Sequence, residues 1–213
     1  MDEIVLASSN IGKTVEIKNF LRGLPLSFKT QSDYKINSIH ETGSSYLENA
    51  LLKAKHAYEL TKQPVISEDS GLEILAWDRR PGINTADYIK EISGHENYAN
   101  YANYANPIEK ILSQMKDLPL HARRARLSCV IVFIDPKDPQ GPFVFHGSLN
   151  GYIAQESSKN KGPAFESVFY LPEFSCMLSD LPEGLRGLIN HRGQALTKMK
   201  NYFLNKPDGF CHR

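Results

Sequence analysis

The chain has 213 residues and a formal net charge of +1, so it is long enough for one α/β domain or two closely joined lobes, and no overall basic field favours nucleic-acid binding. Apolar residues make up 41% of the chain and charged residues 23%, which indicates a globular protein rather than a disordered or membrane-spanning one. The amino-terminal segment is too acidic for a signal peptide and the three cysteines form no CxxC pair, so we expect a cytoplasmic protein without a disulfide framework, a nucleic-acid partner or a membrane partner.

The first half of the chain predicts strands that alternate with helices. The short apolar run Ile4–Ala7 predicts a buried strand, and residues 13–22 predict a helix with Val15 on its apolar face. A Ser-x-x-Glu capping box begins the clearest helix, residues 45–61. Two strands are predicted after it: Pro64–Ile66, with Glu68–Gly71 at its end, and Leu72–Ala76.

The second half contains a perfect Asn-Tyr-Ala repeat at residues 97–105. The repeat favours no regular structure and is either a solvated insertion or part of a subunit surface. Four further elements are predicted: a helix Ile108–Met115 after Pro107, a strand Leu127–Ile134 that buries Cys129, a strand pair Phe143–His146 and Gly151–Ala154, and a helix over residues 194–204. The whole indicates a single domain over residues 1–206 with a mixed β-sheet, helices and two lobes, followed by a loose tail, 207–213.

A polar loop between the first strand and the first helix is the first candidate binding element. It reads Ser8-Ser9-Asn10-Ile11-Gly12-Lys13. Backbone N–H groups at a helix amino terminus attract phosphate, and the lysine adds a full charge. The spacing is not that of a Walker A loop, and a capped turn without a ligand is the alternative interpretation.

Three acidic residues form the second candidate. Glu68 and Asp69 follow a predicted strand, and Glu41 lies upstream. Carboxylates beyond the end of a strand in an α/β protein face the crevice where ligands bind, and such oxygen ligands suit Mg²⁺. A solvated acidic turn is the alternative.

Two later segments complete the candidate residues. Arg186 precedes the sequence Asn190-His191-Arg192-Gly193, whose cations suit phosphate, although a basic helix start on the surface is equally compatible. The loop Gly162–Glu166 carries an aromatic ring and an acid, which suit either a base clamp or a simple turn.

Read in order, these blocks resemble the inosine/xanthosine triphosphate pyrophosphatases, the Ham1-like family. The resemblance covers about residues 3–204, and the blocks that carry it are Ser8–Lys13 for [ST]xNxxK, Glu41–Ala50 with Lys53-Ala54 for ETGxxxxENAxxKA, Ser67–Leu72 for [AV][DE]DSGL, Pro81-Gly82, and Asn190–Leu196 for SHRxxAL.

The resemblance implies an elongated α/β fold of two lobes around a central cleft, usually dimeric. It implies hydrolysis of a nucleoside triphosphate to the monophosphate and pyrophosphate with Mg²⁺ as cofactor. The implied site residues are Asp69 and Lys13 for catalysis; Glu41, Asp69 and Glu68 for the metal; and Ser8, Ser9, Asn10, Lys13, Ser70, Phe165, Glu166, Arg186, His191 and Arg192 for the substrate.

The resemblance is weakest where the family contacts the base. The family loop GFGYDP or GFGWDP is here Gly162–Ser167, with Pro163 at the stacking position and Glu166 for the aspartate. The family's lysine is Arg186, and the serine of SHR is Asn190. We therefore expect the phosphate and metal residues to be kept and the base selectivity to differ from the usual preference for ITP and XTP. The alternatives are a pyrophosphatase specialised for a different nucleotide and a catalytically silent nucleotide-binding relative.

Overall fold

In the computed structural model of the chain, residues 2–93, 105–160, 162–163 and 165–205 are described. Their strands are β1 (Asp2–Ala7), β2 (Leu26–Thr30), β3 (Val65–Ile74), β4 (Arg80–Pro81), β5 (Arg124–Ile134), β6 (Phe143–Ile153), β7 (Phe169–Leu171) and β8 (Cys176–Met177). Their α-helices are α1 (Ile11–Phe20), α2 (Tyr46–Thr61), α3 (Thr85–Ser93), α4 (Ala105–Gln114), α5 (Glu183–Ile189) and α6 (His191–Asn205).

The strands form one mixed sheet in the order β2-β1-β3-β5-β6-β7-β8, with β4 paired to β3. Strand β1 runs parallel to both β2 and β3, whereas β6, β7 and β8 pair antiparallel. The predicted α/β class with a mixed sheet and flanking helices is confirmed. The predicted elongated shape, the central cleft and the single domain over residues 1–206 stay predictions.

The chain divides into two compact units. Unit 1 consists of Met1–Asp69, Cys129–Gly147 and Arg192–Arg213, and unit 2 of Ser70–Ser128 and Ser148–His191. Three long strands, β3, β5 and β6, contribute residues to both units. Unit 1 contains two hydrophobic clusters and unit 2 contains one.

Unit 1 has a core on each face of its part of the sheet. Alternate residues of a strand point to opposite faces, so Ile4 and Leu6 of β1 enter one core with α1 and α6. Val5 and Ala7 enter the other core, against alanines of α2. A strand buried on both faces is a continuous apolar run, which is why Ile4–Ala7 could be predicted.

Unit 2 encloses a buried arginine as well as an apolar core. Arg123 immediately precedes β5 and is almost wholly inaccessible, and its guanidinium donates to the backbone carbonyls of Met115, Leu118 and Ala154. Burial lowers the pKa of Arg123 below its ordinary value. Carbonyls that close the turn after α4 and the end of β6 thus satisfy a buried donor group.

Two strand predictions need correction. Strand β3 runs without a break from Val65 to Ile74, so Glu68–Gly71 lies inside it rather than at its end. Strand β6 is likewise continuous where a strand pair was predicted. In both cases small or polar residues suggested a turn, but pairing with neighbouring strands holds the segment extended.

The helix predictions are confirmed with shifted ends. Helix α1 begins two residues early because Asn10 caps it, and Val15 is exposed rather than on the buried face. Ser45 caps α2 as predicted, because its hydroxyl accepts from the N–H of Glu48. The Glu48 carboxylate accepts from the N–H of Ser44 and not from that of Ser45, as a capping box would require. Helix α6 begins at His191, three residues before the prediction.

Several elements escaped sequence reasoning. They are β2, β4, α3, α5, β7 and β8, most of which are short segments with no clear period. The burial of Cys129 is confirmed. Most of the Asn-Tyr-Ala repeat and the tail 207–213 lie outside the described residues. Among the residues that are described, no helix combines the length and the hydropathy needed to cross a bilayer.

Candidate active site

The loop from Ser8 to Lys13 forms a capped helix start in unit 1. The Asn10 side chain accepts a hydrogen bond from the N–H of Lys13 at 3.1 Å, and the Ser8 hydroxyl accepts from the N–H of Asn10 at 3.2 Å. Ser9 is exposed beside them. The loop therefore presents the amino terminus of a ten-residue helix, with its partial positive charge, next to a lysine.

Lys13 and Arg192 meet at one carboxylate. The Lys13 ammonium lies 3.2 Å from Oε2 of Glu68, and Nη2 of Arg192 lies 3.3 Å from Oε1 of the same residue. Arg192 also contacts Glu16 at 2.6 Å through Nη1. Burial opposes the charged form of Arg192, but the carboxylates of Glu16 and Glu68 hold its pKa well above the ordinary value, so the guanidinium stays charged.

Glu41 and Asp69 meet at another cation. The ammonium of Lys53 lies 3.0 Å from Oε1 of Glu41 and 3.4 Å from Oδ1 of Asp69. Asn49, one helical turn before Lys53 on α2, donates to Asp69 at 3.3 Å and accepts from the N–H of Gly43 at 2.8 Å. Helix α2 thus ties the segment that carries Glu41 to strand β3.

Glu68 and Asp69 are adjacent in the strand and face opposite sides of the sheet. Glu68 lies with Cys129, Lys13 and Arg192, on the side of α1 and α6. Asp69 lies on the side of α2, with Asn49 and Lys53. The structure therefore brings Glu41 and Asp69 together and does not bring Glu68 to them.

Burial sets the protonation behaviour of Asp69. Removal from water raises the pKa of Asp69 to about 6, and Glu41 and Glu68 act in the same direction. The nearby ammonium groups of Lys53 and Lys13 partly offset this rise. A carboxyl with a pKa near neutrality is suited to accept and release a proton.

The remaining predicted residues lie in unit 2. Glu166 is buried, and its Oε2 forms an ion pair with Nε of Arg186 at 3.3 Å. Phe165 packs in the core with 1% of its surface exposed, so it would have to leave the core to stack on a base. His191 begins α6 and is mostly buried, and Ser70 follows Asp69 in β3.

Gly162 is required by the packing of this loop. A Cβ atom at this position would lie 2.9 Å from Oε2 of Glu166 and 2.9 Å from Cβ of Ser179. The close approach holds the start of the loop against the Glu166 carboxylate. Gly162 therefore packs directly against the carboxylate that pairs with Arg186.

Comparison with known proteins decides the family. The family model described as the Ham1 family matches residues 4–202. The chain belongs to the Ham1 family. The match spans nearly the whole chain, including both units, and the family predicted from the motif blocks is confirmed.

Individual relatives also support membership of the Ham1 family. It is 37% identical over 205 residues to the dITP/XTP pyrophosphatase of Photorhabdus laumondii and 36% identical over 205 residues to the protein of that name from Escherichia coli. Both alignments cover 96% of this chain and 100% of the relative. A solved HAM1 protein from Coxiella burnetii superimposes with a TM-score of 0.80 at 33% identity, covering 96% of this chain and 99% of that one.

Glu41 and Asp69 are the two carboxylates of the Ham1 chain that could hold a metal ion. Within the described part of the chain, no group of three or more His, Cys, Asp and Glu side chains is placed to enclose a metal ion. Mg²⁺ commonly binds through one or two carboxylates and completes its shell with water and substrate phosphate. Glu41 and Asp69 already share one cation, the Lys53 ammonium, so two carboxylates converge where a positive charge is held.

Sequence reasoning assigned no role to four residues that contact the candidate side chains. They are Glu16, Asn49, Lys53 and Cys129. Asn49 and Lys53 are four residues apart on a helix predicted from sequence, which places them on one face. Glu16 and Cys129 gave no such signal, since only tertiary packing brings them to Arg192 and Glu68.

Proposed function

We propose that this chain is a Mg²⁺-dependent nucleoside triphosphate pyrophosphatase, which hydrolyses a (deoxy)nucleoside triphosphate to the monophosphate and pyrophosphate. The observation that carries the proposal is the convergence of Glu41 and Asp69 on one cation, in the unit where Lys13 stands at the amino terminus of α1. The relatives named dITP/XTP pyrophosphatase, matched over their full length, support the same reaction.

The metal would be held by Glu41 and Asp69. Bound there, Mg²⁺ would supply positive charge that offsets the repulsion between the triphosphate and an attacking nucleophile. Glu68 was predicted as a third ligand, but its carboxylate is engaged on the opposite face of the sheet. Two protein carboxylates therefore leave coordination positions for water and phosphate.

Side chains and backbone groups of the protein would bind the phosphates and accept the proton. Lys13, the capped start of α1 and Arg192 bind phosphate oxygens, with Asn10 fixing the turn and Ser8 and Ser9 beside it. Asp69 orients a water molecule and accepts its proton as the water oxygen bonds to the α-phosphorus. The bond from the α-phosphorus to the bridging oxygen breaks, and pyrophosphate leaves with that oxygen. No covalent enzyme intermediate is required.

Deaminated purine nucleotides such as ITP, dITP and XTP are the proposed substrate class, in keeping with the relatives' names. We also propose that base selectivity is altered, because the loop at Gly162 carries Pro163 and a Glu166–Arg186 pair, and Phe165 is buried. Ser70 and His191 complete the proposed substrate contacts. A substrate panel in which ITP and XTP are strongly preferred over ATP, GTP, CTP and UTP would refute the altered selectivity.

One experiment tests the reaction itself. Purified protein is incubated with Mg²⁺ and a panel of NTPs and dNTPs, and the release of pyrophosphate and of orthophosphate is measured separately. We expect pyrophosphate from the wild type and a loss of at least about a hundredfold in Asp69→Asn, since this removes both a metal ligand and the proton acceptor. Nucleotide binding without turnover in the wild type would instead identify a silent, regulatory relative.

Two further properties are proposed from the family resemblance. We expect a homodimer, which light scattering of the purified protein measures directly. A cytoplasmic location is proposed as well, and a fluorescent fusion would test it.

A further inference from the structure

We propose that Arg123 is a positioning residue for the loop that joins β6 to β7, residues 154–168 (the β6–β7 loop). This loop carries Glu166, the acid at the base end of the proposed substrate site. The inference rests on the proposed function for the identity of the ligand, a nucleotide whose base meets this loop. All the residues whose contacts carry it belong to unit 2.

The guanidinium of Arg123 bonds two separate parts of the chain. Nε donates to the carbonyl of Leu118 at 3.0 Å, and Nη2 donates to that of Met115 at 2.6 Å. Nη1 donates to the carbonyl of Ala154 and makes a longer contact, 3.5 Å, with that of Ile153. All three nitrogens are thus used, with the segment after α4 on one side and the start of the β6–β7 loop on the other.

The contacts on the α4 side give the guanidinium a fixed position. Met115 and Leu118 lie just after α4, where the helix presents its partly negative carboxyl end. Met115 is fully buried, and its N–H donates to the carbonyl of Ile111 at 3.1 Å, so this turn is continuous with the helix. A cation is favoured among these carbonyls, and its position is therefore set by α4 rather than by the loop.

Ala154 connects the guanidinium to the far end of the loop. Its carbonyl accepts from the guanidinium, and its N–H donates to the carbonyl of Val168 at 2.8 Å. A second hydrogen bond joins the two ends of the loop, from the N–H of Ser158 to the carbonyl of Ser167 at 2.7 Å. Ser167 and Val168 follow Glu166 in one short 3₁₀ turn. The guanidinium therefore holds the turn that carries Glu166, and it does so through Ala154.

Burial makes these contacts costly to lose. Arg123 is 1% exposed, Ala154 4% and Val168 0%, so water cannot easily replace a missing donor at these carbonyls. Without the guanidinium, the start of the loop would have to shift to give the Ala154 carbonyl another donor. Such a shift moves the turn that carries Glu166, whereas Lys13 and the start of α1 lie in unit 1. Loss of Arg123 should therefore weaken recognition of the base more than recognition of the phosphates.

Replacing Arg123 with lysine tests the role. Lysine keeps the charge, but a single ammonium replaces the planar fork and cannot reach the carbonyls after α4 and that of Ala154 together. We expect the KM for ITP to rise by about tenfold to a hundredfold. The inhibition constant of inorganic tripolyphosphate, which has no base, should stay within about twofold of the wild type. A role in stability alone would lower Tm without separating these two constants.

Limited proteolysis measures the loop without any substrate. Lys159 is exposed in the β6–β7 loop and offers a cleavage site for trypsin. Cleavage after Lys159 should be at least about tenfold faster in Arg123→Lys than in the wild type, because the loop opens more easily. Arg126→Lys is the matched control, since Arg126 is a second arginine of unit 2, in β5, and donates to the hydroxyl of Ser148 at 2.9 Å. It should leave both constants and the cleavage rate unchanged.

Hydrogen exchange of the wild type keeps the inference testable if Arg123→Lys does not fold. Without a ligand, the amide of Ala154 should exchange as slowly as that of Ile131, a fully buried residue of β5. Fast exchange at Ala154 that becomes slow only when ITP is added would overturn the inference, because the nucleotide would then position the loop.

Two further results would overturn it. An unchanged KM for ITP in folded Arg123→Lys would show that the loop needs no such support, and an equal rise in the tripolyphosphate constant would show a general disturbance of the fold. If the wild type releases no pyrophosphate, the proposed function fails. The tryptic cleavage rate and the exchange of the Ala154 amide still decide whether Arg123 positions the loop.

Discussion

Asn49 joins the two parts of the proposed metal site with a single side chain. Its amide NH₂ donates to Asp69, and its carbonyl oxygen accepts from the N–H of Gly43, in the segment that carries Glu41. The residue is buried, so neither hydrogen bond can be replaced easily by water. An asparagine is required here because one end must donate and the other must accept.

Asn49→Asp should therefore lower the activity of the enzyme while keeping the size and shape of the side chain. The aspartate keeps the acceptor for Gly43 but turns an acceptor toward the Asp69 carboxylate, which repels it. We expect kcat to fall by at least about tenfold, and pyrophosphate release measures it. Asn19→Asp, on an exposed part of α1, is the control and should leave kcat unchanged. Full activity in Asn49→Asp would contradict the proposed site.

Asp180 holds a different loop by hydrogen bonds, and its ionisation should make the stability of the protein depend on pH. Its carboxylate accepts from the hydroxyl of Ser158 at 2.5 Å and from the amide of Asn160 at 2.9 Å, which ties the segment before Gly162 to the turn after β8. The Ser158 hydrogen bond is the main cause that lowers the pKa of Asp180 below 3.8, with further contributions from Asn160 and the N–H of Met177. The folded state therefore favours the ionised carboxyl.

The contribution of Asp180 to the stability of the protein should be lost in acid. A carboxyl whose pKa is lowered by folding stabilises the protein above its unfolded pKa and loses that contribution as pH falls through the folded value. The wild type should exceed Asp180→Asn in urea midpoint at pH 7, and the difference should shrink below pH 3.8. A difference that stays constant down to pH 3 would show that the ionised state of Asp180 does not matter.

At the scale of elements, strands β3 and β6 show how pairing overrides local composition. Glycine and serine inside these segments suggested turns, yet each strand is continuous. Gly151 in β6 allows the close approach of β7, since a Cβ there would lie 2.6 Å from the Phe169 ring and 2.7 Å from the Tyr170 carbonyl. The glycine marks a tight strand contact rather than a chain reversal.

Two glycine-to-alanine changes should therefore have opposite effects on stability. Gly151→Ala forces a methyl group into the ring and carbonyl of β7 and should lower the free energy of unfolding by about 1–3 kcal/mol. Gly187→Ala, on α5 where an added Cβ meets nothing within 4 Å, should raise it by about 0.5–1 kcal/mol. Chemical denaturation of both variants measures the two values, and a stabilised Gly151→Ala would contradict the close contact of Gly151 with β7.

At the scale of the whole molecule, we expect Mg²⁺ and a polyphosphate together to raise the free energy of unfolding much more than Mg²⁺ alone. Glu41 and Asp69 are already compensated by Lys53, so Mg²⁺ by itself relieves little repulsion. In the proposed site, tripolyphosphate with Mg²⁺ would also engage Lys13 and the amino terminus of α1. At about 100 times its dissociation constant it should stabilise the fold by about 2.7 kcal/mol.

Thermal unfolding checks this directly. We expect a clear rise in Tm with Mg²⁺ and tripolyphosphate together, a small one with Mg²⁺ alone, and loss of the joint effect in EDTA. Pyrophosphate release should also stop in EDTA and return when Mg²⁺ is added in excess. Undiminished activity after chelation would exclude the proposed metal dependence.

Much of the protein could be predicted from its sequence, because the relevant signals are local. Apolar runs and caps predicted β1, α2 and β5, and ordered motif blocks indicated the family and residues such as Asp69 and Lys13. Only the tertiary structure decided how those residues are grouped. Glu68 and Asp69 separate because a strand alternates its faces, and Phe165 is buried because unit 2 packs around it. Contacts such as that of Glu16 with Arg192 join residues far apart in the chain, and no local pattern encodes them.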